Sequence, residues 1–108
     1  ERYKMPMIFS ENGVALSEWK TLGGDIPDDM RIDYMKRHIL EIKKASEKYP
    51  VIGYFYWCFM DNFEWALGYS KRFGLVYVDY ETLERIPKKS AYWYKKVIET
   101  NGEDLKND

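Results

Sequence analysis

The chain has 108 residues and a mass of 13.0 kDa, which leaves room for one domain. Its 17 basic and 18 acidic side chains give a formal net charge of -1, so it lacks the broad positive field that nucleic acid or an anionic membrane would require. Phenylalanine, tyrosine and tryptophan make up 18% of the residues. So many aromatic side chains must be buried or form a binding surface, which excludes a disordered chain.

The cysteine content and the hydropathy pattern limit the location of the chain. Its single cysteine, Cys58, excludes an internal disulfide and a zinc site built on paired thiolates. The longest apolar run, residues 51–60, is about half of the roughly 20 residues that a membrane helix needs. The polar start at Glu1 does not resemble a signal sequence, and without an initiator Met we interpret it as an interior start. We therefore expect a cytoplasmic protein.

The first predicted element is a short apolar strand over residues 7–9. It ends at the Glu-Asn-Gly sequence of residues 11–13, where Asn-Gly tolerates a positive φ at a turn. Residues 17–29 contain two glycines, one proline and three aspartates, a composition that predicts a loop. Asp28 or Asp29 is placed to cap the helix that follows.

An amphipathic helix is predicted from Met30 to Lys48. Tyr49-Pro50 ends the helical pattern. The apolar residues that recur at helical spacing are Ile32, Met35, Ile39 and Ile42.

The second half of the chain predicts a strand, a ribbon and a helix. Residues 51–59 are apolar on both alternating faces, as in a parallel-sheet strand that is covered on both sides. The aromatic residues of this strand that are expected in the core are Tyr54, Phe55, Tyr56 and Phe59. Residues 74–80 and 84–86 predict a small ribbon around a turn. Pro87 opens a last helix through Ile98, with Gly102 as a C-cap candidate and a tail over 103–108 that is expected to fray.

The order strand, helix, strand, helix is the repeat of an α/β barrel or of a doubly wound sheet. Two such units are too few to close either architecture, because a closed eight-unit barrel takes about 250 residues. The fold class is therefore α/β, and the chain has the length of a fraction of one barrel domain.

Three carboxylates lie where barrel enzymes keep their reacting groups. Glu11 is at the carboxyl end of the first predicted strand, and Asp61 and Glu64 follow the second. Each also has a structural explanation, as a solvated turn residue for Glu11 and as a loop cap or salt-bridge partner for the other two. Four aromatic residues surround the second pair: Trp57, Phe59, Phe63 and Trp65. Aromatic faces beside carboxylates suit a sugar ring, whose C–H faces pack on indole while its hydroxyls need polar partners.

Residues 5–13, with the sequence MPMIFSENG, resemble the nucleophile segment of the glycoside hydrolase family 1 β-glycosidases, in which Thr-Glu-Asn-Gly follows an apolar strand. Residues 53–93, which include DNFEW at 61–65, resemble the last strand, sugar-binding loop and final helix of that family. The resemblance covers residues 5–102, with Ser10 in place of the usual Thr. It implies that residues 1–108 are the C-terminal segment of a single (β/α)8 TIM-barrel domain, holding strands seven and eight with their helices.

The resemblance also implies a role for each residue that matches the motifs. Glu11 would be the nucleophile of a retaining β-glycosidase. Trp57 would lie under the sugar, Glu64 would bind the 4- and 6-hydroxyls, and Trp65 would bind the 3-hydroxyl through its indole N–H. Phe73 would border the pocket near the 6-position. No cofactor or metal is expected.

Retention requires a second carboxyl group that acts first as an acid and then as a base. The family takes it from an Asn-Glu-Pro motif that does not occur in this sequence. The resemblance thus implies that the isolated chain is inactive and needs the remaining N-terminal part of the barrel as its partner. The Glu64-Trp65 pair implies an unphosphorylated glucoside, fucoside or galactoside as substrate. The alternative is a non-catalytic carbohydrate-binding or self-associating barrel fragment.

Two further residues carry chemistry that we interpret as structural. His38 has no second histidine near it in a metal-binding pattern, so it is expected to be a solvated or partly buried helix residue. Cys58 is expected to be a small buried apolar residue rather than a nucleophile.

Overall fold

The computed structural model describes residues 4–107, without the side chains of residues 106 and 107. Two parallel strands, β1 (Met7–Asn12) and β2 (Val51–Tyr56), form its main sheet. β1 is longer than predicted and β2 is shorter. β2 ends at Tyr56, where β1 also ends: the Trp57 N–H still donates to the carbonyl of Asn12, the last residue of β1, at 3.0 Å. The Cys58 N–H then leaves the ladder and donates to the Phe73 carbonyl at 3.3 Å.

Two helices, α1 (Asp29–Ser46) and α2 (Lys89–Glu99), pack against the same side of this sheet. Tyr34 of α1 accepts a hydrogen bond from the Asn12 amide at 3.5 Å. Tyr94 of α2 packs edge-on against Tyr54, with 6.4 Å between ring centroids. Among the apolar residues that set the helical period, Met35 is fully buried. We call this side of the sheet the helix face.

The opposite side of the sheet, which we call the open face, has no cover within the described residues. Ile8 and Phe55 lie there with 52% and 56% of their surfaces exposed. The expectation that β2 is covered on both faces is therefore wrong for this chain. Of the four aromatic residues expected in the core, Tyr54 and Tyr56 are half-buried on the helix face, whereas Phe55 and Phe59 are exposed, contrary to that expectation.

A small antiparallel ribbon of β3 (Val76–Val78) and β4 (Arg85–Pro87) precedes α2, as predicted, but β3 is shorter than expected and β4 lies one residue later. The Asp79 carboxylate forms its turn by accepting the N–H groups of Glu81 and Thr82 at 2.9 and 3.2 Å. Pro87 therefore ends a strand instead of opening the helix.

The end of α2 differs from the expectation at Gly102. Asn101 takes the first left-handed position, with φ 52°, and its N–H donates to the Ile98 carbonyl at 3.1 Å. Gly102 takes the next position and donates to Val97 at 2.8 Å, which completes a Schellman motif. Residues 103–107 form a 3-10 helix with Leu105 buried, so the expected fraying is wrong for the described tail; Asp108 lies outside the described residues.

Asp28 is the residue before α1, as predicted, but its side chain does not cap that helix. Its carboxylate instead accepts the Ser90 N–H at 2.8 Å and the Ser90 hydroxyl at 2.5 Å, in the first turn of α2. Asp28 thus supplies α2 with the capping oxygen that an N-cap residue usually provides. It joins the starts of the two helices.

A chain of buried ion pairs continues from Asp28 and alternates in sign. We call it the charge network, and it consists of Asp28, Arg31, Glu18, Lys88, Asp61 and Arg72. Four of its five links have lengths of 2.6–2.7 Å, and the fifth, from the Lys88 ammonium to Asp61, measures 2.9 Å. Although burial opposes its charge, the hydrogen bond that Arg31 donates to Glu18 holds the pKa of Arg31 above its usual range. With three acids and three bases the network is neutral.

The described helices contain no stretch that is both long and apolar enough to cross a membrane.

Replacing Arg31 tests how much the charge network contributes to the stability of the fold. Arg31→Met leaves Glu18 and Asp28 without their shared cation, and we expect it to lower the free energy of unfolding by about 3–5 kcal/mol. Arg37→Met removes the exposed pair with Asp33 and should change the free energy by less than about 1 kcal/mol. Urea denaturation followed by circular dichroism measures both. Equal losses in the two variants would contradict a stabilising network.

Cys58 is buried, as predicted, and its environment makes it unreactive. Burial first, and then the negative charge of Glu64, raise the pKa of the Cys58 thiol from near 9 to about 11. The folded chain thus keeps this proton at a pH where the unfolded chain loses it, so its stabilising contribution is lost as the pH rises from about 9 to 11. We expect slow alkylation by iodoacetamide at pH 8 and fast alkylation in urea, measured by mass spectrometry. Cys58→Ser should show a smaller loss of stability over that pH range, and identical pH profiles would contradict the shift.

Candidate functional site

The carboxyl ends of the two parallel strands meet at one edge of the sheet. The Trp57 N–H donates to the Asn12 carbonyl at 3.0 Å, so the residue after β2 is bonded to the last residue of β1. Glu11, one residue earlier, is exposed. The sequence-predicted candidates Glu11 and Trp57 are therefore on neighbouring strand ends.

A β-bulge in β1 turns Glu11 toward the open face. Phe9 pairs with Tyr54 and Asn12 pairs with Tyr56, so β1 has one more residue than β2 between these pairs. Ile8 is on the open face and Asn12 is on the helix face, and an unbroken alternation would place both on the same face. The extra residue reverses the alternation, so that Glu11 faces away from the helices. Sequence reasoning missed this bulge.

Gly13 allows the two strand ends to approach. A Cβ atom at this position would lie 1.9 Å from the Trp57 carbonyl oxygen, far inside any permitted contact. Gly13 does not have a positive φ, so its role differs from the predicted turn. The position requires glycine because another backbone passes beside it.

The Asn12 side chain fixes the end of β1 on the helix face. Its amide oxygen accepts the Tyr54 hydroxyl at 3.0 Å, and its amide nitrogen donates to the Tyr34 hydroxyl. His38, in α1, stacks on Tyr34 and lies 2.8 Å from that residue's carbonyl oxygen, which agrees with the structural role predicted for it. Among residues 4–107, no cluster of histidine, cysteine and acidic side chains could hold a metal ion.

The loop after β2 presents the remaining candidates. Glu64 and Gly68 close a tight turn, with the Glu64 N–H donating to the Gly68 carbonyl at 2.8 Å. Within the turn, Trp65 has a φ of 45° and 86% of its surface exposed, whereas Trp57 is 38% exposed. Phe73 is half-buried.

Glu64 has an unusual carboxylate. Its Oε2 atom is buried and has no hydrogen-bond partner in the part of the chain that the structure describes. A buried oxygen without a donor is destabilising, and native proteins rarely leave one. The Glu64 carboxylate therefore has acceptor capacity that the described residues do not use.

Asp61 is a salt-bridge partner, which was the structural explanation given for it from the sequence. It is 3% exposed, and its two oxygens accept from Arg72, Lys88 and two backbone N–H groups. Sequence reasoning also missed that Lys88 is a buried partner of Asp61. A signal was present, because a cation at the start of a helix is opposed by the helix dipole and needs an anion nearby.

The comparisons with known proteins agree with this geometry. Residues 1–103 match the family model described as glycosyl hydrolase family 1. The β-glucosidase A of Thermotoga maritima is 51% identical over 104 residues, which are 94% of this chain and 23% of that protein. A bifunctional β-D-glucosidase/β-D-fucosidase of Bifidobacterium breve is 50% identical over 99 residues, or 87% of this chain and 22% of that protein.

A solved structure of the Thermotoga maritima β-glucosidase in complex with noeuromycin superimposes with a TM-score of 0.86 at 50% identity. The match covers 90% of this chain and 22% of that structure. The chain thus spans less than a quarter of the length of the relatives that it matches, and it has the fold of a part of them. With nearly its whole length matched in sequence and in structure, the chain belongs to glycosyl hydrolase family 1.

Proposed function

We propose that this chain supplies the nucleophile and the sugar-binding residues of a retaining β-glycosidase. The observation that carries the proposal is the bulged end of β1, which turns Glu11 to the open face beside Trp57. Bulges are common beside active sites because they re-aim a side chain. The relatives named as β-glucosidases support the same reaction class.

The proposed architecture is the last two β/α units of a (β/α)8 barrel, with residues 1–108 inside one catalytic domain. The parallel β1–β2 pair with both helices on one side has the form of two consecutive units of such a barrel. The exposed Ile8 and Phe55 side chains on the open face would then lie in the barrel interior, where other strands cover them. The partner is the remaining N-terminal part of the barrel.

The proposed reaction has two steps. The Glu11 carboxylate attacks the anomeric carbon, the bond from that carbon to the leaving-group oxygen breaks, and an acid from outside this chain protonates that oxygen. A water molecule, deprotonated by the same outside residue, then attacks the anomeric carbon of the glycosyl ester and releases Glu11 as a carboxylate. The inverted configuration is inverted again, so the product keeps the β configuration.

The proposed sugar contacts use the exposed parts of the loop after β2. Trp57 offers an indole face to the C–H groups of the sugar ring. The half-buried Glu64 accepts from the 4- and 6-hydroxyls, and the exposed Trp65 donates its indole N–H to the 3-hydroxyl. Phe73 borders the 6-position. The substrates would be unphosphorylated β-glucosides or related glycosides, since a phosphate would be repelled by Glu64. A cytoplasmic location remains a prediction.

The nucleophile can be tested in a chimaera in which this chain replaces the matched segment of the Thermotoga maritima relative. Incubation with an activated 2-deoxy-2-fluoro-β-glucoside should add one fluorosugar to the peptide that contains Glu11, measured by mass spectrometry. Glu11→Gln removes the attacking oxygen and should lower kcat by about 10⁴-fold or more, without labelling. Glu41→Gln, on the exposed side of α1, is the matched control and should be labelled normally.

An unlabelled chimaera with Glu11 intact would contradict the proposal. A homo-oligomer of the chain alone that binds glucose without cleaving glucosides would then support the alternative, a carbohydrate-binding or self-associating fragment. The bare open face gives such a fragment a surface through which to associate.

The role of Glu64 can be tested with a pair of substrates. In the chimaera, Glu64→Gln should lower kcat/KM for an aryl β-glucoside by about 10- to 100-fold, because a charge-assisted hydrogen bond becomes a neutral one. The same variant should lose much less on the 4-deoxy analogue, which lacks one of the hydroxyls that Glu64 binds. An equal loss on both substrates would mean that Glu64 does not contact the 4-hydroxyl.

A further inference from the structure

Asp61 is a buried carboxylate that the proposed reaction does not use. One of its oxygens accepts from the Lys88 ammonium at 2.9 Å and from the Gly74 N–H at 3.0 Å. The other accepts from the Arg72 guanidinium at 2.7 Å and from the Val78 N–H at 3.3 Å. With four donors on two oxygens, Asp61 has no free capacity for a substrate, and it is not a catalytic residue.

The backbone of Asp61 is held as firmly as its side chain. Its N–H donates to the Val76 carbonyl at 3.0 Å. Gly74 passes so close that a Cβ atom there would lie 2.3 Å from the Asp61 nitrogen. Asp61 is therefore a fixed point in a loop whose other residues are largely exposed.

This fixed point lies between the proposed sugar contacts. Trp57 is four residues before Asp61, and Glu64 and Trp65 are three and four residues after it. The turn at Glu64 is closed by local backbone bonds, which shape it without attaching it to the rest of the molecule. The attachment comes through Asp61, and also through Tyr80, whose hydroxyl donates to the Asn62 carbonyl at 3.3 Å and whose ring packs on Tyr69.

The charge network extends this attachment to the loop that follows Glu11. Lys88 is shared between Asp61 and Glu18, and Glu18 is bonded in turn to Arg31. Leu16 and Arg72 also exchange two backbone hydrogen bonds, at 3.0 and 2.8 Å. The loops after β1 and β2 are thus joined both by ion pairs and by backbone bonds.

We infer that Asp61 is a positioning residue, which holds Glu64 and Trp65 at a fixed place relative to Glu11. This inference rests on the proposed function. A small displacement of a hydrogen-bonding group from its bound geometry weakens binding strongly, so loosening this loop should act on the affinity for the sugar.

The test uses Asp61→Asn in the chimaera, which keeps the size of the side chain and presents an amide N–H₂ to groups that are themselves donors. Titration of active sites with the fluorosugar reagent counts the folded sites, so that kcat is expressed per working site. We expect KM for an aryl β-glucoside to rise about tenfold or more, as for a lost hydrogen bond to a charged group, with a smaller change in kcat. The rise in KM should shrink on the 4-deoxy substrate, because that substrate lacks a hydroxyl that Glu64 binds.

Asp33→Asn is the matched control, since Asp33 forms an exposed ion pair with Arg37 and should leave KM unchanged. If Asp61→Asn does not fold, Arg72→Lys decides the question. That variant keeps a cation near Asp61 but not the guanidinium geometry, and it should also raise KM.

A KM equal to that of the unchanged chimaera would overturn the inference, because loss of stability alone lowers the number of sites and not their affinity. Failure of the proposed function has a different signature. The unchanged chimaera, with Asp61 intact, would then take up no fluorosugar, and both proposals would fall together.

Discussion

The structure depends on two buried cations at the starts of two helices, each of which pairs with buried carboxylates. Arg31 is in the first turn of α1 and Lys88 is the residue before α2, and both side chains are fully buried. A helix dipole opposes a positive charge at this end, and burial removes the water that would otherwise solvate it. Both positions are tolerable only because Glu18 lies between the two cations, while Asp28 pairs with Arg31 and Asp61 pairs with Lys88. Arg72, paired with Asp61, makes the cluster neutral.

The charge network joins the two loops that carry the candidate site, and its hydrogen bonds are directional. The buried apolar residues of the described chain are few, and most are aliphatic: Ile26, Met35, Cys58, Leu75, Val78, Val97 and Leu105. Aliphatic packing tolerates small shifts between elements, whereas short charged hydrogen bonds hold a narrow range of distances and angles. The loops are therefore located by polar bonds, and the apolar core supports the helices behind them.

Local patterns predicted the elements well where one period or one turn decides them. The helical repeat that contains Met35 located α1, and the residues around Asp79 located the ribbon turn. The resemblance to the family predicted the neighbouring positions of Glu11 and Trp57. Long-range features were out of reach: Lys88 and Glu18 are 70 residues apart, and no local pattern connects them.

Other features could not be predicted from the sequence, for different physical reasons. The run 51–59 is apolar on both faces, which indicates that both faces are buried in the native protein. It does not indicate whether the elements that bury them belong to this chain. The bulge at Ser10 and Glu11 has no glycine or proline to mark it, since its cause is the pairing with β2. The requirement for Gly13 likewise comes from the Trp57 carbonyl, which belongs to a distant part of the chain.

The bulge has a consequence for how this strand can change in evolution. Upstream of it, even-numbered Ile8 points to the open face, and downstream of it, even-numbered Asn12 points to the helices. Deleting Ser10 would remove the bulge and leave Glu11 on the open face and Asn12 on the helix face, because both strands would then have one residue between the two paired positions. The two-to-one pairing, rather than the exact length of β1, therefore keeps the carboxylate on the open face: with all residues present, a one-to-one pairing would place Glu11 opposite Tyr56, on the helix face.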